Sequence, residues 1–220
     1  MPLPSTIATP DTRATVFAQA EATAAPWEPD FLPGLFMDLG VGYYTHHASR
    51  PAATQIIRIS IDPMFASPDR EKILDAVREW NHVLNGHVRI EPTAWDTPGA
   101  TQLISASAPP PGDAIWTVHR SDRPFATTET RSVAVTLAMP LATPARATIV
   151  VFVERLRSVR IDRIMLHEFG HALGLPHDPR GHLMQETYAG NEQICVDRTA
   201  VEQVARLRGI PVNELNWCTY

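Results

Sequence analysis

No run of apolar residues in this chain approaches the roughly 20 needed to span a bilayer, so a membrane-spanning helix is not expected. The net charge is −5 and there is no basic stripe, which removes the electrostatic footprint of nucleic-acid binding. The opening MPLPSTIATPDTR has neither a basic n-region nor an apolar h-region. Without these marks of a secretory leader, the expectation is a cytoplasmic protein or a form whose leader has been removed. Cysteine is scarce: only Cys195 and Cys218 occur, both near the C-terminus. They flank an expected helix, and a disulfide between them would contribute about 3 kcal/mol by loop closure. Two buried free thiols are the other reading. The disulfide favours a secreted or periplasmic location.

What is present describes a globular protein. The 220 residues are 44% apolar and 20% charged, enough for one domain with a real core and possibly an extension. Proline is abundant at 20 residues, which points to many irregular connections. Residues 1–50 are rich in Ala, Thr and Pro and sustain no period, although 12–22 can form a short helix. This part reads as an N-terminal extension, a prosegment or a segment that wraps the domain at 51–220. A monomer is expected.

From Pro51 onward the pattern sharpens. TQIIRISIDP alternates around Ile57, Ile59 and Ile61 and reads as a strand. Ser67 is placed to cap a helix with Pro68 at its first position. Ile73, Val77, Trp80 and Leu84 recur at helical spacing, and Gly86 is expected to stop the helix. HVRIEP, DAIWTVHR, SVAVTLAMP and ATIVVFVERL are four further strand candidates, the last apolar enough for burial on both faces. A helix over 160–173 follows, with Ile161, Met165, Phe169 and Ala172 inward and Gly174 at its end. Asp197 can cap a last helix with Ala200, Val204 and Leu207 inward, closed by Gly209. The result is an α+β layout, one five-stranded sheet packed against two helices.

The stretch HEFGHALGLPHDPRGHLM, 167–184, carries the chemistry. His167 and His171 are four residues apart, so they share one face of a helix, about 6 Å apart along its axis. That separation lets both imidazoles reach one metal at the ~2.0–2.1 Å zinc–nitrogen distance. Gly174 can turn the chain back, which brings His177 in as a third ligand. Three neutral histidines leave a fourth position for water, the open geometry of a catalytic zinc. Glu168 should face that position, where a carboxylate can take a proton from water and pass it to a leaving amine. Five fixed positions at roughly 5% each coincide by chance about three times in ten million starts, which argues against buried core histidines.

HEFGHALGLPHD followed by Met184 resembles the extended zinc signature of the metzincin peptidases, HExxHxxGxxH with a methionine turn. Within that clan the chain is most similar to the matrixins of bacterial type. The likeness is strongest over 160–190 and extends to the order of elements from 55 onward. It implies a metzincin fold: a mixed, twisted five-stranded sheet with the active-site helix (51–177) above a small C-terminal subdomain with one helix (178–220). It implies one Zn2+ held by His167, His171 and His177, Glu168 as general base, and Met184 packed beneath the metal. It also implies a protein or peptide substrate, with Tyr188 in the wall of the S1′ pocket. Leu137, Ala138 and Met139 would form the edge strand that pairs with an extended substrate; an ordinary sheet strand is the alternative.

The departures from the matrixin pattern are specific. Asp178 after the third histidine looks more like the adamalysins. Glu186 replaces a proline of the S1′ wall and occupies the place of the extra tyrosine ligand of astacins and serralysins. HRSDRPF resembles only part of the loop that holds a second, structural zinc in animal matrixins, so His119 and Asp122 are weak candidates. Residues 1–50 contain no cysteine, so the matrixin thiolate switch cannot operate. Asp30 or Asp38 could hold the enzyme latent, though surface aspartates are common. His46 and His47 read as a solvated pair before the first strand, and His182 as a partly exposed loop residue. The expected function is a zinc endopeptidase. A catalytically silent zincin-fold binder and a hydrolase of a non-peptide amide are the alternatives.

Overall fold

The computed structural model describes residues 43–47, 51, 53–95, 114–123, 132–139, 145–156, 159–187 and 195–219. The possible helix at 12–22, Asp30 and Asp38 lie outside them. The described chain enters through a two-residue strand, β1 (Tyr43–Tyr44), then forms β2 (Gln55–Ile61). In β2, Ile57 and Ile59 are fully buried and Ile61 nearly so, because alternate side chains point to one face. Helix α1 (Ser67–Leu84) buries Ile73, Val77, Trp80 and Leu84, the stripe expected from their spacing. The strands β3 (Val88–Thr93), β4 (Ala114–Ser121), β5 (Ala134–Met139) and β6 (Ala145–Phe152) follow. Helices α2 (Ile161–Ala172) and α3 (Arg198–Arg208) and a final strand β7 (Cys218–Thr219) complete the order.

The sheet is five-stranded, in the order β3-β2-β4-β6-β5. β2, β3, β4 and β6 run parallel, and β5 pairs antiparallel with β6. Parallel neighbours need a crossover, and α1 supplies it between β2 and β3. β6 lies one strand in from the edge, and Ile149, Val150, Val151 and Phe152 are all buried, as its apolar run requires. β5 is left at the edge, with Leu137 and Ala138 exposed.

Helix α2 packs against α1 and against β5 and β6. Two aromatic contacts fix its position. The Trp80 indole N–H donates to the Leu166 carbonyl at 3.0 Å, and Trp116 of β4 stacks on Phe169 with ring centroids 5.7 Å apart. Trp80 is fully buried, so losing this anchor would cost about 3–5 kcal/mol.

Three local expectations need correction. Ala66, not Ser67, is the N-cap of α1, and no side chain caps that end; Pro68 near the start lacks the N–H a cap would satisfy there. The left-handed C-cap of α1 is Asn85, at φ 46°, one residue before the expected Gly86, which is itself left-handed at φ 84°. Asparagine tolerates that region, and its amide also donates to the carbonyls of His47 and Glu214, each at 2.8 Å. Leu207 is 46% exposed: α3 buries Ala200, Val201, Val204 and Ala205, and Leu207 lies off that face.

The C-terminal segment is bound back onto the first helix by contacts between residues far apart in sequence. β1 pairs with β7, Tyr43 opposite Thr219 and Tyr44 opposite Cys218. Buried Asn216 accepts from the His47 N–H, donates through its side chain to the His82 carbonyl, and donates through its main chain to the Val83 carbonyl. A disulfide joins Cys195 to Cys218, with Cα atoms 6.2 Å apart. Beneath it the Tyr44 hydroxyl donates to the carboxyl of buried Glu79 and accepts from the Val196 N–H. Of His46 and His47, expected as a solvated pair, only His46 is exposed. His46 stacks on His82, and half-buried His47 lies against Trp217.

Burial raises the Glu79 carboxyl above its usual range, against the opposing hydrogen bond from Tyr44 and the charge of Arg163. A raised acid pKa favours the protonated form in the fold. The stability it contributes is therefore present at acid pH and lost as pH rises through the folded-state value. Glu79→Gln keeps an acceptor for Tyr44 without the buried charge. Its melting temperature should fall less than that of the wild type between pH 5 and pH 8, as read by thermal denaturation.

Candidate metal centre

The centre is built on the last turns of α2 and the loop that follows. His167 and His171 lie on one face of the helix, with ring centroids 4.6 Å apart. The helix closes at Leu173, and Gly174 at φ 103° reverses the chain. That conformation is strained for any residue with a Cβ. The turn is held by the Leu175 N–H donating to the Gly170 carbonyl at 2.9 Å. It carries His177 to within 4.7 Å of the His171 ring and 5.4 Å of the His167 ring, centroid to centroid. One nitrogen from each of the three histidines lies within 4.8 Å of the others.

Two main-chain carbonyls orient the helical imidazoles. His167 Nδ1 is 2.7 Å from the Leu183 carbonyl oxygen and His171 Nδ1 is 2.8 Å from that of Leu175. A carbonyl oxygen can only accept, so both Nδ1 atoms carry the proton and both Nε2 atoms present a lone pair. His171 Nε2 lies 3.1 Å from His177 Nε2. Tetrahedral zinc with bonds of ~2.0–2.1 Å spaces its nitrogens about 3.3 Å apart, so the donor set fits one such ion. Burial also pushes both helical imidazoles toward the neutral, ligating form, His167 down to about 4 and His171 in the same direction.

Glu168 is buried and is not part of the ligand group. Burial pushes its carboxyl up to about 7, partly offset by a hydrogen bond from the Thr136 hydroxyl; the charge of a bound cation would draw it down again. Thr136 lies on the edge strand β5, beside Leu137 and Ala138. Its part went unread in the sequence, where it is one polar residue in an alternating strand. Met184 is almost fully buried against α2. A Cβ on Gly170 would stand 2.5 Å from Met184 Sδ, so the helix admits the thioether only because that position is glycine.

The loop from His177 to Met184 is tied down by two carboxylates. Asp178 receives the Arg180 guanidinium and main-chain N–H and the Gln203 amide, and these bonds hold its carboxyl down at about 2. Asp197 caps α3, as expected, through the Ala200 N–H at 3.0 Å. It also accepts from the loop, which the sequence did not reveal. His182 is exposed. His119 lies edge-on to Trp95 and Asp122 pairs with Arg120; the two form no metal-ligating group among the described residues. Tyr188 and the side chain of Met139 lie outside the described residues.

A mixed five-stranded sheet whose adjoining helix carries two of three convergent histidines defines an α+β domain with a donor set that could hold one metal ion. The matrixin family model matches residues 69–209, well over half of the chain. The chain belongs to the matrixin family, in agreement with the resemblance of its zinc motif. Among solved structures, metalloproteinase-II from Bacteroides fragilis aligns at 15% identity and a TM-score of 0.41, over 63% of this chain and 47% of its own. Archaemetzincin from Methanopyrus kandleri aligns at 13% identity and a TM-score of 0.42, over 73% of this chain and 98% of its own. The chain thus spans about half the length of the Bacteroides protein. No curated protein matches it.

Gly170→Ala tests the packing under the centre. Alanine gains up to about 1 kcal/mol of helix propensity, but overpacking a filled core costs about 1–3 kcal/mol. The net expectation is a lower denaturation midpoint for the metal-free protein; an unchanged or higher midpoint would show that Met184 yields freely.

Proposed function

We propose that this chain is a zinc-dependent endopeptidase. The observation that carries the reading is the convergence of His167, His171 and His177, two of them with Nε2 freed by main-chain acceptors. These three residues hold the ion, and Met184 packs beneath the site. When bound, zinc supplies a Lewis acid that polarises a carbonyl and lowers the pKa of water from 15.7 to about 7. Glu168 takes the proton of the attacking water and delivers it to the nitrogen of the leaving amine. Thr136 donates to Glu168 Oε2, which orients the carboxylate and leaves Oε1 for the proton.

The exposed edge of β5, with Leu137, Ala138 and Met139, pairs with an extended peptide, whose strand continues the sheet. The matrixin resemblance of the segment after Met184 assigns Tyr188 to the S1′ wall. The domain divides at the third histidine into an upper part, 51–177, and a lower part, 178–220, and residues 1–50 form an N-terminal extension. The Cys195–Cys218 disulfide supports a secreted or periplasmic location. Among the described residues no helix is long and apolar enough to cross a membrane.

Incubation of the purified protein with a mixed peptide library, with and without a chelator, tests the reading. Chelator-sensitive internal cleavage is expected; bound zinc without cleavage points to a silent binder. Glu168→Gln should retain stoichiometric zinc while turnover falls about 10²–10⁴-fold, and undiminished cleavage would remove Glu168 as the base. His171→Ala should lose the metal, measured by elemental analysis after dialysis.

A further inference from the structure

Asp197 has two separate tasks, one for each carboxylate oxygen. Oδ1 accepts the Ala200 N–H at 3.0 Å and caps α3. Oδ2 accepts the main-chain N–H groups of His182 and Leu183, at 2.7 and 2.8 Å. Those residues belong to the loop that leads into Met184, and the carbonyl of the same Leu183 receives the His167 Nδ1 proton at 2.7 Å. Asp197 is buried, and among the described residues it has no ion-pair partner, so main-chain N–H groups are what satisfy its oxygens. The loop is shaped to let it in. A Cβ on Gly181 would stand 2.9 Å from Oδ1 and 3.1 Å from Oδ2, closer than side-chain atoms normally approach.

We propose that Asp197 is a positioning residue of the metal centre: its second oxygen fixes residues 182 and 183 so that the Leu183 carbonyl holds the His167 imidazole in its ligating orientation. The proposal rests on the metal-site reading above but not on peptide cleavage. A helix cap needs only one acceptor, and serine provides it as well as aspartate. The second oxygen is therefore in excess of what α3 requires, and its bonds are spent on the loop. Partners of this kind, one step removed from the ligands, fix ring orientation and typically change metal affinity 10–100-fold when removed.

The test is the zinc dissociation constant of the full chain, measured by competition with a chromophoric chelator, together with the visible spectrum of the Co2+-loaded protein. Asp197→Ser keeps a cap oxygen and loses the loop acceptor. It should leave the far-UV circular dichroism unchanged, weaken zinc binding at least about 10-fold, and alter the Co2+ spectrum. Arg206→Gly, at an exposed position of α3, weakens the helix without touching the loop and should leave both readouts at wild-type values. Gly181→Ala, which displaces the carboxylate without changing it, should weaken zinc binding in the same direction and serves alone if Asp197→Ser does not fold. Zinc affinity within twofold of wild type in the folded loop variants overturns the proposal. So does an equal loss in Arg206→Gly, since helix stability would then account for the effect. Wild-type protein that binds zinc but cleaves no peptide removes the peptidase reading and leaves this one standing. Wild-type protein that takes up no zinc overturns both.

Discussion

Each helical imidazole gives its Nδ1 proton to a carbonyl that lies beyond the end of its own helix, and the geometry of the centre depends on those two bonds. An imidazole on an isolated helix rotates freely and presents either nitrogen. Here the Leu175 carbonyl holds His171 from the turn at Gly174, and the Leu183 carbonyl holds His167 from the loop before Met184. The loop must therefore be in place before the helix can present a defined pair of Nε2 atoms. Asp178, Gln203 and Asp197 exist in the structure largely as anchors for that loop, two of them on or at the start of α3. A small C-terminal helix thereby supports the histidine cluster without contributing one of its histidines.

The Glu168 carboxylate is held from the opposite direction. Glu168 follows His167 on the same helix, yet its carboxylate is bonded to Thr136 on the edge strand. Strand and helix thus meet at this carboxylate, with the exposed rim of the sheet one residue away at Leu137. Burial raises the carboxyl and the threonine hydroxyl lowers it, with burial the larger effect.

The legible features were those encoded by local periodicity. Ile57, Ile59 and Ile61 alternate, Ile73 to Leu84 recur at helical spacing, and the spacing of His167, His171 and His177 with Gly174 foretells their convergence. Each of these depends on residues a few positions apart. Illegible were contacts whose partners lie tens of residues distant, because nothing in the local pattern of Thr136, Glu79, Asn216 or Asp197 names the group it will meet. Asp197 is instructive: one oxygen makes a local bond to Ala200 and was readable as a cap, whereas the other bonds 14 and 15 residues upstream and was not. Ends of helices were misread by one residue where a second function intervened, as at Asn85, whose amide serves two distant carbonyls. Leu207 kept the helical period yet is exposed, because the buried face of α3 runs through Val201, Val204 and Ala205.

The pairing of β1 with β7 has a mechanical consequence. Tyr43 lies opposite Thr219, so the described chain enters and leaves at the same corner. Tension applied between these two ends peels that pair apart one bond at a time instead of shearing it, which is the weaker mode of resistance. The load then passes into Cys218 and across the disulfide to Cys195, bypassing every residue between them. Helix α3, Asp197 and the anchor they provide for the metal loop sit inside a covalent ring that cannot be drawn out. Traction on the ends would thus leave residues 196–217, Asp197 among them, at their folded length.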